Sequence, residues 1–240
     1  MKITTILNCY KRPQYLKEQI KAINNQTIES EIIVWYNKPE DAQQYDITNL
    51  GVKTITCNSN FKFYGRFAAA LLAKTQFVSI FDDDTIPGNK WYENCIASNL
   101  KKPGIYGASG VVLHDNRYTP NHKVGWNGVI PNQKIQEVDL VGHAWFLEKK
   151  YLEFMWREEP VSWDNGEDLH LSYCAQKFGN IKTFVPPHPH GDLEMWGSKK
   201  GHEYGTDLNA SWRKQDHMKL RNQIAEEQIK KGWKILKNKN

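Results

Sequence analysis

The apolar positions of this chain switch between two periods. Ile3 to Leu7 is a β-branched, apolar run, which predicts a buried strand rather than a signal peptide, because Asn8 interrupts it and no small-residue cleavage site follows. Arg12-Pro13 then opens a helix, with proline suited to the first turn and Leu16, Ile20 and Ile23 recurring at helical spacing. Residues 31–37 (EIIVWYN) predict a second strand, Val52 to Thr56 a weaker third, and 66–74 (RFAAALLAK) a short alanine-rich helix. Residues 76–84 (QFVSIFDDD) form a near-continuous apolar strand that ends in three carboxylates. Strands alternating with helices predict an α/β fold, with a mostly parallel central sheet covered by helices on both faces. Ligands of such sheets bind beyond the carboxyl ends of the strands, where Asn8, Asn37 and Asp82-Asp83-Asp84 converge.

The second half is less regular. Strands are expected at 105–113 and from Val138 to Leu147, with a polar loop over 114–134 between them. A short helix near Tyr151–Trp156 precedes an acidic-aromatic loop, which leads into a helix from about Glu167 to Phe178 closed by Gly179. The strand IKTFV then enters a loop of over twenty residues, 186–207, whose length and aromatic and histidine content mark it as functional. The tail reads as an amphipathic helix with Leu220 and Ile224 on one face. The division expected is a main domain over 1–208, its first half to about residue 100 and its second over 101–208, followed by a basic C-terminal helix over 209–240.

Composition changes this picture little. A hydrophobic fraction of 40% and a charged fraction of 25% suit a soluble globular enzyme, and no apolar run reaches the roughly 20 residues that span a bilayer. The net charge of +5 comes from residues 211–240, which hold nine Lys/Arg against three Asp/Glu. A basic tail on a near-neutral body argues against a nucleic-acid groove and leaves weak membrane-surface contact through the tail as the less favoured alternative to a packed helix. Cys9, Cys57, Cys95 and Cys174 are scattered without CxxC spacing, which predicts reduced thiols in a cytoplasmic protein.

The chemistry concentrates at two places. Three adjacent carboxylates repel one another unless a cation sits among them, and a hard divalent ion such as Mn²⁺ or Mg²⁺ is the natural partner. At Gly166-Glu167-Asp168 a carboxylate pair opens a helix, where it either caps the helix dipole or serves as a general base.

The segment VSIFDDDTIPG resembles the DxD motif of GT-A glycosyltransferases, whose fold is Rossmann-like. LNCYKRPQYL, VWYN and NFKFYGRFAAAL resemble further segments of family-2 and exostosin-like members, over roughly residues 1–190. The resemblance implies a metal-dependent hexosyl- or pentosyltransferase that uses a UDP- or GDP-linked sugar and a saccharide acceptor in glycan biosynthesis. It implies Asp84 as metal ligand, joined by a loop histidine, His188 or His190, with His188 slightly favoured. Asn8, Tyr10, Arg12, Asn37, Asn60, Arg66, Asp82 and Asp83 would face the donor, with Asp82 toward the ribose. Asp168, with Glu167 behind it, would be the catalytic base. Trp163, His143 and Trp145 would face the acceptor, although a buried strand position is the stronger account of Trp145. The Lys199-Lys200-Gly201 segment is a second cationic clamp or a lid. Exostosin-like enzymes retain anomeric configuration, whereas the GED arrangement looks equally like inverting family-2 enzymes. A sugar-phosphate nucleotidyltransferase is the rival enzyme, disfavoured because no glycine-rich loop follows the first strand; a carbohydrate-binding module leaves the three carboxylates unexplained.

Overall fold

The computed structural model describes residues 2–38, 47, 49–118, 123–125 and 130–238. The strands are β1 (Ile3–Cys9), β2 (Ser30–Tyr36), β3 (Lys53–Thr56), β4 (Phe77–Phe81), β5 (Ile105–Val111), β6 (Lys123–Val124), β7 (Gln136–Val138), β8 (Leu140–Glu148) and β9 (Thr183–Val185). The helices are α1 (Leu16–Asn24), α2 (Gly65–Ala70), α3 (Trp91–Lys101), α4 (Glu167–Gly179), α5 (Gly201–Tyr204) and α6 (His217–Lys230). One sheet runs β3-β2-β1-β4-β8-β5-β9-β7, with β6 beside β5.

The first four strands are parallel, as the alternation of periods predicts. The second half is mixed: β8 runs antiparallel to both β4 and β5, and β9 is parallel to β5. This is a finding the local pattern did not contain. A buried strand is equally apolar in either direction, and direction follows from where the connection returns.

Burial on both faces of β1 explains its unbroken apolar run. Ile3, Leu7 and Cys9 pack with Leu16, Ile20 and Ile23 of α1 and with Trp91, Tyr92 and Cys95 of α3. Ile6 points the other way, among Phe67 and Ala70 of α2 and Leu152 and Leu171 behind them. Helix α2 is shorter than expected and ends at Ala70; Leu71 and Leu72 lie beyond it, exposed. Helix α4 includes Gly179, and the left-handed closing residue is Asn180 (φ 50°), asparagine being among the few residues that tolerate that conformation.

The tail is not a solvated appendage. Ile224 and Ala225 of α6, with Trp233 and Ile235 after it, share a buried cluster with Val111, Leu140, Leu169 and Tyr173. The expected loop at 114–134 contains β6, and its residues 119–122 and 126–129 lie outside those described. Among the described residues no helix is long and apolar enough to cross a membrane.

Candidate active site

The triplet follows β4 because the apolar residues end at Phe81 and the chain turns at once. Gln19 of α1 pins that turn, its Nε2 donating to the carbonyls of Asp82 (2.7 Å) and Thr85 (3.0 Å). On the other side the carbonyl of His143 in β8 accepts from Asp82 N (3.0 Å) and Thr85 Oγ1 (3.1 Å). His143 carries a positive φ of 66°, a strained position for a non-glycine residue inside a strand and one that clusters at functional sites. Ligand atoms of Asp82, Asp84 and His143 all lie within 4.8 Å of one another.

Two arginines divide the carboxylates. Arg12, 7% exposed, donates Nη1 to Asp83 Oδ1 (2.7 Å), lies 3.3 Å from Asp84 Oδ2, and forks onto Asp207 through Nε (3.0 Å) and Nη2 (2.7 Å). Arg66, buried under Trp145, Phe63 and Phe67, ion-pairs Asp82 Oδ1 and Glu167 Oε1, each at 2.7 Å. The triplet and the GED helix, 83 positions apart at Asp84 and Glu167, are therefore spanned by one guanidinium.

Gly166 starts α4 in the left-handed region (φ 81°), and a Cβ there would meet Ile224 Cδ1 at 2.6 Å, so glycine is required twice over. The turn aims Glu167 at Arg66 and sets Asp168 beside β8, its Oδ2 3.8 Å from where a Cβ on Gly142 would stand. Arg221 of α6 forks onto Asp168, Nη1 to Oδ1 at 3.0 Å and Nη2 to Oδ2 at 2.6 Å.

The electrostatics leave a deficit of positive charge. Among the described residues, six carboxylates, Asp82, Asp83, Asp84, Glu167, Asp168 and Asp207, pair with three guanidiniums. Burial, and then the charges of Asp84, Glu167 and Asp83, push Asp82 well above the carboxylate range despite Arg66. Burial and the neighbouring Asp168 push Glu167 up to about 7. Burial would raise Asp168 too, but the charge and hydrogen bonds of Arg221 reverse it and hold it below the usual range. Burial lowers His143, which favours the neutral imidazole that a metal requires. Two carboxylates and a neutral imidazole, in a region short of positive charge, fit a divalent ion such as Mn²⁺ or Mg²⁺.

The remaining expected residues divide. Asn8 is buried at the end of β1. Asn37, also buried, donates Nδ2 to Asn60 Oδ1 (2.9 Å) and accepts from Phe61 N (2.7 Å), while Asn60 Nδ2 donates to Tyr10 Oη (3.1 Å). These three form a polar chain at the ends of β1 and β2. Trp163 is half exposed and meets Tyr64 edge-on at 4.9 Å. Trp145 is buried, its indole N–H donating to the Val141 carbonyl (2.9 Å), so it supports Arg66 and has no surface to offer an acceptor.

The loop histidines do not join the cluster. His188 is fully buried between Trp91 and Trp196; its Nδ1 bonds the Pro186 carbonyl (2.8 Å), its Nε2 accepts from Gly197 N (3.3 Å), and burial lowers it to about 4. Both ring nitrogens are committed to shaping the loop. His190 is exposed beyond it. His143, expected to face the acceptor, takes the place beside Asp82 and Asp84 instead. Sequence reasoning missed Gln19, Asp207 and Arg221 outright, since each acts on a partner at least 53 positions away. The loop also carries a strap: Tyr204 stacks on Tyr15 (3.9 Å), Lys200 Nζ reaches Glu18 (2.8 Å), and a Cβ on Gly205 would lie 2.9 Å from Asp84 Oδ2.

No curated protein matches the sequence. Among solved structures the chain is similar to TarS of S. aureus. The fragment 1–349 in complex with UDP gives a TM-score of 0.55 at 16% identity, over 78% of this chain and 58% of that one. A second crystal structure of TarS 1–349 gives 0.52 at 14% identity, over 78% and 60%, and that of TarS gives 0.54 at 14%, over 78% and 37%. The chain thus spans at most 60% of these structures, and at such identity the likeness is one of fold. The family model "Glycosyl transferase family 2" matches residues 4–156, from β1 through the triplet to the end of the segment after β8. With a GT-A-type sheet presenting an acidic triplet at the carboxyl end of β4, the chain belongs to glycosyl transferase family 2.

Proposed function

We propose that this protein is a metal-dependent glycosyltransferase that moves a hexosyl or pentosyl group from a UDP- or GDP-linked sugar to a saccharide acceptor in glycan biosynthesis. The observation that carries the reading is Arg66. By pairing with Asp82 and Glu167 together it brings the acidic triplet and the carboxylates of α4 into one site. A donor-side cluster and a base-side pair at that spacing serve a transfer reaction, whereas a lone acidic turn serves neither half.

Asp82, Asp84 and His143 would hold the cation, with His143 in place of a loop histidine. When bound, a divalent ion supplies Lewis-acid stabilisation of the diphosphate charge, so no protein acid is needed for the leaving group. Arg12 and Asp83 face the same edge, and Arg12, released from Asp207, becomes a cation for the diphosphate. Asn8, Tyr10, Asn37 and Asn60 build the wall against which the nucleoside would lie. Asp168 takes the proton of the acceptor hydroxyl; a sugar hydroxyl is a poor nucleophile until a carboxylate in hydrogen-bond reach removes that proton. Glu167 fixes Arg66, and Trp163 offers an apolar face on which a sugar can stack. One TarS structure was obtained with UDP, which makes a uridine nucleotide the first donor to try. All four cysteines are free and buried, which supports a reducing, cytoplasmic setting. The tail's packing supports a body helix over a membrane anchor.

The test is thermal stabilisation by UDP, GDP and a panel of their sugars, with and without Mn²⁺. Stabilisation that needs both metal and nucleotide, and is lost in Asp84→Asn, is expected. No stabilisation by any nucleotide, with or without metal, overturns the reading.

A further inference from the structure

Asp168 is held from behind by a residue that lies outside both its own motif and the matched family segment. Arg221 is 5% exposed on α6, and its guanidinium lies over the Tyr118 ring at 4.1 Å. Besides forking onto Asp168, its Nη1 donates to Asn165 Oδ1 (3.2 Å), and Asn165 Nδ2 meets His217 Nδ1 (3.1 Å) at the start of α6. Ile224, one turn on, fills the space over Gly166. Helix α6 therefore fixes the start of α4 at three points: the glycine, the asparagine before it and the carboxylate after it.

We propose that Arg221 is a positioning residue for the base Asp168, which makes the C-terminal helix part of the catalytic apparatus. The inference rests on the reading of Asp168 as the base and goes beyond it by assigning what orients that base. A carboxylate has about four lone-pair sites. Among the described residues, Asp168 Oδ1 accepts from Leu169 N (2.9 Å) and Arg221 Nη1, and Oδ2 accepts from Arg221 Nη2. The remaining site is on Oδ2, the oxygen nearest Gly142 and hence the strand that carries His143. The fork fixes the carboxylate plane and leaves one lone pair of Oδ2 without a donor among the described residues, on the oxygen beside Gly142. Stability alone is a poor account of this pair, because buried ion pairs add little net stability while the Arg221 Nε, among the described residues, is buried without a partner. A lysine ammonium is a point donor and cannot define a plane in this way.

The experiment uses the full chain with Mn²⁺ and measures nucleotide release from UDP-glucose, UDP-N-acetylglucosamine and GDP-mannose, with water as acceptor. Wild type, Asp168→Asn, Arg221→Ala and Arg221→Lys are compared, each first checked for a cooperative melt. Arg221→Ala is expected to lose on the order of 100-fold in kcat, with donor KM within about threefold of wild type, because misplacing a catalytic group by about 1 Å carries such a cost. Added guanidinium chloride at tens of millimolar is expected to restore part of that rate in Arg221→Ala and none in Asp168→Asn. Arg221→Lys, which keeps the charge and the fold, is expected to fall about 10-fold.

Full turnover in Arg221→Lys, or in a folded Arg221→Ala, beside an inactive Asp168→Asn overturns the inference and leaves the transferase reading standing. A loss in Arg221→Ala without guanidinium rescue assigns Arg221 to structure and also overturns it. Unchanged turnover in Asp168→Asn removes the base and the inference together. No nucleotide release by wild type from any donor, with no stabilisation by UDP or GDP, overturns the transferase reading itself.

Discussion

Replacing Arg66 by methionine keeps most of the side-chain volume and removes the cation that spans the site. Its two partners then face each other without compensation: Glu167, whose side chain is 9% exposed, and Asp82, at 25%. Breaking a buried pair from one side costs about 3–5 kcal/mol. Asp82 retains some access to water, which places the expected loss near the lower end, at about 3 kcal/mol. That is a large share of the roughly 5–15 kcal/mol that holds a domain of this kind together. The sign of the pH dependence follows from the same pair. Without Arg66 both carboxylates rise further above their unfolded values, so the native variant binds more protons than the unfolded chain, and its deficit shrinks as pH falls. Urea unfolding of wild type and Arg66→Met, followed by tryptophan fluorescence at pH 7.5 and pH 5.5, measures this. Adding Glu167→Gln to Arg66→Met removes one uncompensated charge and is expected to recover at least 1 kcal/mol of the loss, giving clear non-additivity. A variant within 1 kcal/mol of wild type at pH 7.5, or a deficit that does not change with pH, would refute the argument that Arg66 is the charge that spans the two halves.

Three further outcomes follow from the packing. His188 is held neutral by burial at about 4 against an ordinary value near 6.5, so the unfolded state binds the extra proton between those limits and stability rises with pH across that window. Its share of the slope is worth up to roughly 3 kcal/mol, and His188→Gln should make the slope shallower without removing it, because burial lowers His217 to about 4 as well; urea midpoints from pH 4 to 7 read this. Gly166→Ala must take a left-handed conformation and displace Ile224, so a loss of about 2 kcal/mol or more is expected by the same assay; a neutral result would show that the start of α4 moves freely. Asp207→Asn frees Arg12 from the strap; the pair lost joins a buried guanidinium, which keeps Asp83, to a carboxylate one-third exposed, so the cost is about 1–2 kcal/mol. Limited proteolysis within residues 199–213 should then speed up severalfold while the melting temperature moves by only a few degrees, and equal cleavage rates would count against a latched strap.

The sequence by itself determined whatever depends on neighbours along the chain. The apolar run of β4 ending in Asp82-Asp83-Asp84, the helix opened by Glu167-Asp168 and the parallel first half of the sheet all follow from local period and turn chemistry, and they were enough to identify the family resemblance. Tertiary structure decided which side chains complete the site. His143 reaches the triplet because β8 returns antiparallel beside β4 and passes through a strained φ, neither of which an apolar strand pattern encodes. His188 looked like a ligand beside its prolines, yet two tryptophans enclose it. Arg221 sits in a lysine-rich tail whose pattern predicts an amphipathic helix but not its partner, and the docking of that helix, with Ile224 over Gly166, is what places Arg221 beside Asp168. The reason is physical. A buried charge takes its meaning from the partner that neutralises it, and here the partners are 53 to 195 residues apart.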